Sequence, residues 1–286
     1  MVSTSANNVI SYNNDATDGS GGGIYCDDAA PTIRDNTIEH NKASNGGGIY
    51  CSGLNRYPEI SHNTISDNES SRGAGIYAAC DGLPTTIVRN TISDNTATQR
   101  GGGIWCSDNA SIRDNWITDN AAYLNDYNIS YGGGIYAEGY SSSSTRTPSI
   151  LNNTITDNTT SPIGFGGGIY WGNYCGPIIS NNIVYSNSRY GIYRGQSPVV
   201  APYAVLRYNC AFANSNSNYG ATSGTLSPGT GSISQDPEVT DGHISNTSVC
   251  FDAGYDDDVP EGDADLDGES RIRGDHVDMG ADECAP

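Results

Sequence analysis

Four histidines, eight cysteines and thirty-three acidic residues are the side chains of this 286-residue sequence with the most obvious capacity for chemistry. His40, His62, His243 and His276 share no spacing, so they suggest no metal trio, and no Gly-x-Ser-x-Gly elbow marks a nucleophilic serine. Arg34 and Arg113 fall at one repeat position, with Arg89 one place further on. Ser61 and Val88 interrupt that column, so it forms no dense basic cluster. Asp67, Asp94, Asp119 and Asp157 also recur, at a corner where like charges about 5 Å apart repel unless they are solvated or bridged by cations. Whether any two acids stand at the separations of about 5–5.5 or 6.5–9.5 Å that glycoside hydrolysis requires cannot be read from spacing. Near the C-terminus Asp263, Asp265 and Asp267, followed by Gly268, match the first half of a calcium loop. Gly274 stands where the loop's bidentate acid belongs. A solvated acidic cap is the first reading of these three acids, and a structural calcium site is the second.

The elements that must position these residues are short. Thirty-six glycines, nineteen tyrosines, three phenylalanines and a single lysine suit many brief strands joined by turns. The net charge of −20 opposes nucleic acid, whose phosphates it would repel. No stretch approaches the roughly 20 apolar residues of a membrane span, and no signal-like apolar run follows Met1. Met1 reads as an artificial start on a trimmed secreted segment, because the chain begins inside a repeat. Eight cysteines without a Cys-x-x-Cys spacing favour a secreted or cell-surface location.

The repeat dominates everything else. Asn-x-Ile-x-x-Asn, Gly-Gly-Gly-Ile-Tyr and a looser apolar phrase recur in fixed order. The middle phrase places Ile24, Ile49, Ile76, Ile104, Ile135, Ile169 and Ile192 at spacings of 23 to 34 residues. The first phrase supplies Ile10, Ile38, Ile65, Ile92, Ile117, Ile155 and Ile183, and the third supplies Ile33, Ile60, Ile87, Ile112, Ile150 and Ile179. Segments this short between Gly, Asn and Ser clusters are strands. Three per turn predict an all-β, right-handed single-stranded parallel β-helix of about 7–8 coils, roughly 35–40 Å long, with isoleucine inside. Residues 1–214 are expected to form the coils and residues 215–286 to close the same domain. Two asparagine ladders, one through Asn36, Asn63 and Asn90 and one through Asn41, Asn68 and Asn95, are expected at left-handed corners, bonding amide to amide along the stack.

Strand alternation turns the residue after each middle-phrase Ile outward. It is always aromatic: Tyr25, Tyr50, Tyr77, Trp105, Tyr136, Tyr170 and Tyr193. This stripe is either a self-stacking ladder or a binding platform for sugar rings or a protein. Cys26, Cys51 and Cys106 follow it and face inward, where buried thiols are expected. The insertions from Tyr123 to Tyr131 and from Tyr140 to Pro148 lengthen consecutive coils and could wall a cleft.

Phrases such as Gly101-Gly102-Gly103-Ile104-Trp105 and Ile65-Ser66-Asp67-Asn68 resemble the repeats of chlamydial-type polymorphic outer membrane proteins, which are surface β-helices implicated in adhesion. Gln235-Asp236-Pro237-Glu238-Val239, Cys250-Phe251-Asp252-Ala253-Gly254, Asp265-Leu266-Asp267-Gly268 and Val277-Asp278-Met279-Gly280-Ala281-Asp282-Glu283 resemble the closing segment of bacterial secreted β-helix proteins of the choice-of-anchor type. Cys210 and Cys250 resemble a recurrent pair in such tails, which implies a disulfide between them. The resemblance implies the fold and leaves activity open, since β-helices host lyases, hydrolases and plain binders. The leading expectation is an extracellular, non-catalytic module that binds a polysaccharide or a surface protein, or that serves as a structural or self-associating surface component. The alternative is a polysaccharide lyase or glycoside hydrolase working along the outer groove.

Overall fold

The computed structural model describes all residues except 1–3, 15–18, 82–83, 108, 124–127, 140–146, 173 and 197–203. Three eight-stranded parallel sheets wrap around one axis. The first face runs from strand Thr4–Ala6 to Val205–Arg207, the second from Val9–Ser11 to Cys210–Phe212, and the third from Ile24–Asp27 to Ser217–Ala221. Each strand pairs with its equivalents in the neighbouring coils. The chain is an all-β, right-handed parallel solenoid. A fourth, smaller sheet was not foreseen: Glu69–Arg72, Thr96–Arg100, Ala121–Ala122 and Thr159–Thr160 add a strand to four consecutive coils.

Register follows the isoleucines. Ile76 pairs with Ile49 and Ile104, and Ile87 with Ile60 and Ile112. A one-residue slip would move every isoleucine to the solvent side, so the apolar pattern holds the pairing. The inward isoleucines from Ile33 to Ile192 are shielded from solvent, while Ile10 and Ile24 in the first coil are half-buried. One anchor differs from expectation. Ile155 pairs with Val184, so Val184 points inward and Ile183 outward. In the next coil Ala211 is inward and Cys210 outward.

Both asparagine ladders form, and their geometry corrects the expected corner. The left-handed residue is the one before each ladder asparagine: His62, Asp67, Arg89, Asp94, Asp114 and Asp119 have φ of 54, 55, 54, 57, 56 and 55°. That turn lets the following asparagine point into the solenoid. Asn90 donates its backbone N–H and its amide Nδ2 to Asn115 Oδ1, at 2.9 and 3.0 Å, and Nδ2 also reaches the Ile60 carbonyl at 2.9 Å. Backbone groups at a corner without strand pairing are satisfied in this way. The ladders end on Ser232 Oγ and Asn218 Oδ1. Glycine is needed where coils touch: a Cβ on Gly75 would lie 2.6 Å from the Gly103 carbonyl oxygen.

The coils continue past residue 214. Ser217–Ala221 completes the third face, and Thr230 and Ile233 bridge to Arg207 and Cys210. The remaining segment turns back along the side of the solenoid instead of capping its end. Gly242 lies against the Trp116 ring, the Tyr255 N–H meets Asn181 Oδ1 at 2.8 Å, and the Ala281 N–H meets Thr154 Oγ1 at 2.9 Å. Ile183, Cys210, Ile244, Cys250 and Met279 form a separate apolar cluster beneath it. Arg207 Nε contacts Asp258 at 2.9 Å, and Asp263 is clamped by Arg89, at 2.6 Å, and by Arg113.

Candidate functional site

The aromatic residues of the third face stack in register as their spacing requires. Tyr50 and Tyr77 have centroids 4.9 Å apart, Tyr77 and Trp105 4.1 Å, and Tyr136 and Tyr170 5.2 Å, with planes within 11° of parallel. Their exposure is uneven. Tyr77, Trp105, Tyr136, Tyr170 and Tyr193 are buried, Tyr50 is half-buried, and only Tyr25, at 57%, stands open. Ring faces that rest on one another are not available to a ligand, so most of the stripe is a ladder rather than an open platform.

A second aromatic column covers it. Tyr131, Phe165 and Tyr190 stack at 6.2 and 6.3 Å and lean on the first column, with Tyr131 4.8 Å from Tyr170 and Phe165 4.8 Å from Tyr193. Sequence reasoning missed this column. The signal was present in the residue before each Gly-Gly-Gly: Arg72 is followed in the ladder by Arg100, Tyr131 and Phe165.

Between the two columns opens a groove of about 410 Å³ lined by Arg100, Tyr131, Tyr136, Glu138, Tyr170 and Gly172, among others. Tyr136 donates its hydroxyl to Glu138 at 2.7 Å, and Arg100 lies 3.4 Å from the same carboxylate. The Arg100 guanidinium also sits 5.2 Å from the Tyr136 centroid and 5.8 Å from that of Tyr131. Burial, and then Glu138, push the Tyr136 phenol well above its usual pKa, while burial and Tyr131 do so for Tyr170. Both hydroxyls therefore remain protonated donors around neutral pH. Gly172 leaves the floor open, since a Cβ there would come no closer than 3.4 Å, to the Tyr136 hydroxyl. The two insertions expected to wall a cleft lie largely outside the described residues, although Tyr131 at the end of one lines this groove.

The three C-terminal acids are given different partners. Asp263 faces Arg89 and Arg113. Asp265 is buried and accepts the N–H groups of Asp267, Glu269 and Glu283 at 3.1, 2.7 and 3.1 Å. Asp267 reaches His243 Nε2 at 3.0 Å. His276, by contrast, pairs with Asp256 at 2.9 Å. A second hollow, of about 290 Å³, lies beside His243 and is lined by His62, Thr64, Arg89, Trp116 and Asp267. Burial and the Arg89 charge lower the pKa of His62 there.

Cys210 and Cys250 are both buried in the apolar cluster beneath the C-terminal segment, where the Cys210 thiol donates to the Gln235 carbonyl at 3.3 Å. No disulfide joins the cysteines in this structure. Cys26 and Cys51 pair in register on neighbouring coils and both are buried. Among the described residues, no helix is long and apolar enough to cross a membrane.

Residues 1–147, just over half of the chain, match the family model described as "Right handed beta helix region". No curated protein and no solved structure matches the sequence.

Proposed function

The chain belongs to the right-handed β-helix family, and from that premise we propose that it is a secreted or cell-surface module that binds a polysaccharide in the groove beside Tyr136. The observation that carries this reading is the meeting of Arg100, Glu138 and the Tyr136 and Tyr170 hydroxyls between two aromatic columns. A sugar ring offers apolar C–H faces and hydroxyls that both donate and accept. The groove supplies rings for the first and a mixed set of donors and acceptors for the second.

The polysaccharide is uncharged on this reading. A chain with a net charge of −20 repels polyanions, and Arg100 is already matched by Glu138. Binding is favoured over hydrolysis because Glu138 is the one carboxylate among the described lining residues, whereas glycosidases generally use two.

Gly172→Leu tests the proposal. Its side chain would project into the groove, since the added Cβ meets nothing closer than 3.4 Å and its nearest neighbours are the groove's own Tyr136 and Tyr170. A glycan array should identify a neutral ligand, and the variant should bind it at least about tenfold more weakly at an unchanged melting temperature. An empty array, or a ligand bound equally well by the variant, would remove the groove as the binding site.

A further inference from the structure

We propose that His243, Asp267 and Asp282 form a binding site for a divalent metal ion of the zinc class, seated where the C-terminal segment crosses the second face. One ligand atom from each residue lies within 4.8 Å of the other two. The three residues come from separate stretches of the segment, which is why their sequence spacing gives no hint of a site.

The histidine geometry calls for a cation. His243 Nδ1 lies 2.8 Å from the Asp241 carbonyl oxygen, which only accepts hydrogen bonds, so Nδ1 carries a proton. This leaves Nε2 facing Asp267 Oδ2 at 3.0 Å. A lone pair and a carboxylate oxygen at that distance repel each other unless a proton or a metal ion lies between them. A histidine oriented by a backbone carbonyl through its other nitrogen is the usual arrangement of a metal-bound imidazole. Two tetrahedral ligands about 2.0–2.2 Å from one zinc ion stand roughly 3.3–3.6 Å apart, so this pair opens by a few tenths of an ångström when the metal enters.

Asp282 provides an independent indication. It is only 8% exposed, and one of its oxygens accepts the Ile244 N–H at 3.2 Å. A carboxylate so deeply buried, with a second carboxylate and an imidazole within 4.8 Å, is stabilised by a positive ion among them.

The donor set selects the metal. One imidazole nitrogen and two carboxylate oxygens suit zinc and its neighbours, whereas calcium takes six to eight oxygens. Three protein ligands leave a fourth position for water. The 290 Å³ hollow lined by His62, Thr64, Arg89 and Trp116 adjoins His243 and Asp267 and offers that room. Only Asp267 is shared with the calcium loop suggested by the sequence.

The test is calorimetric titration of the chelator-treated full chain with zinc chloride, with calcium chloride in a parallel cell. One equivalent of zinc should bind in the micromolar range or tighter, with calcium at least a hundredfold weaker, and zinc should raise the melting temperature. His243→Ala and Asp282→Asn should each weaken zinc at least tenfold, while His276→Ala should leave it unchanged. Melting each metal-free variant shows whether it is folded. Cobalt(II) should give visible bands without the near-ultraviolet charge transfer of a thiolate ligand. Absence of zinc binding would leave a protonated His243 paired with Asp267 and overturn the proposal. So would affinity that survives His243→Ala, or a cobalt spectrum with thiolate charge transfer.

Discussion

The Trp105 indole lies flat on the Tyr77 ring, with centroids 4.1 Å apart and planes 4° from parallel, and it is almost fully shielded from solvent. This contact makes Trp105 part of the solenoid's own packing. Trp105→Ala should therefore destabilise the protein by about 3–5 kcal/mol, the cost of an aromatic deletion in a packed site. Any glycan affinity of the groove should persist, because Trp105 is not among its lining residues. Denaturant unfolding of the variant checks this; a loss below about 1 kcal/mol would mean that the stack contributes little.

Asn115 stands mid-ladder. Its Nδ2 donates to the Ile87 and Arg113 carbonyls and to Asn153 Oδ1, and its Oδ1 accepts two N–H groups from Asn90. Asn115→Ala strips partners from several buried groups at once, each worth about 1–3 kcal/mol when left unsatisfied. A drop of at least about 3 kcal/mol in unfolding free energy is expected. Asn115→Asp should be no better tolerated, since it places a buried charge where the ladder needs an amide donor.

Stability should also vary with pH through the contact between the C-terminal segment and the coils. Burial raises the Asp114 carboxyl to about 7, although Arg271 pulls it down, and burial raises Asp278 to about 6. A carboxyl whose pKa is higher in the folded protein favours folding while it holds its proton. That contribution is complete below the unfolded pKa near 4 and is lost as pH rises through about 6 to 7. The protein should unfold at higher denaturant at pH 5 than at pH 8. Asp114→Asn, which keeps the neutral form, should flatten the profile; a profile as steep as that of the parent would assign the dependence to other groups.

Cys210 and Cys250 are fully shielded and lie together beneath the folded-back segment. In protein made under oxidising conditions they should be recovered as one disulfide-linked pair by non-reducing peptide mapping. Reduction should lower the melting temperature, because the bond closes a loop of about 40 residues in the unfolded chain. Recovery of both as thiols would leave the segment held by packing and ion pairs alone.

Much of this architecture can be read from one-dimensional spacing. Isoleucine at each strand centre, asparagine at each corner and glycine where coils touch are requirements that every coil repeats, so they surface as columns in the sequence. The outward column of the second face also carried a readable signal. It begins with the exposed Val9 of the first coil, runs through Thr37, Thr64 and Thr91, then becomes Trp116, Thr154, Ile183 and Cys210. Those later residues lie under the C-terminal segment, and the change from threonine to larger apolar side chains marks a covered surface.

What the sequence determined by itself is therefore the local and periodic part: strand positions, most of the register, inward and outward faces, and the column of aromatic residues. Each depends on neighbours one coil away, whose identity the repeat supplies. The tertiary structure alone decided the contacts that occur once. Asp263 meets Arg89 and Arg113 across more than 140 residues, Tyr131 closes over Tyr170, and His243 finds Asp267 and Asp282. No period links such partners, because the path of the returning segment and the packing of one aromatic column on another are set by surface fit in three dimensions. The groove and the candidate metal site both arise from these unrepeated contacts.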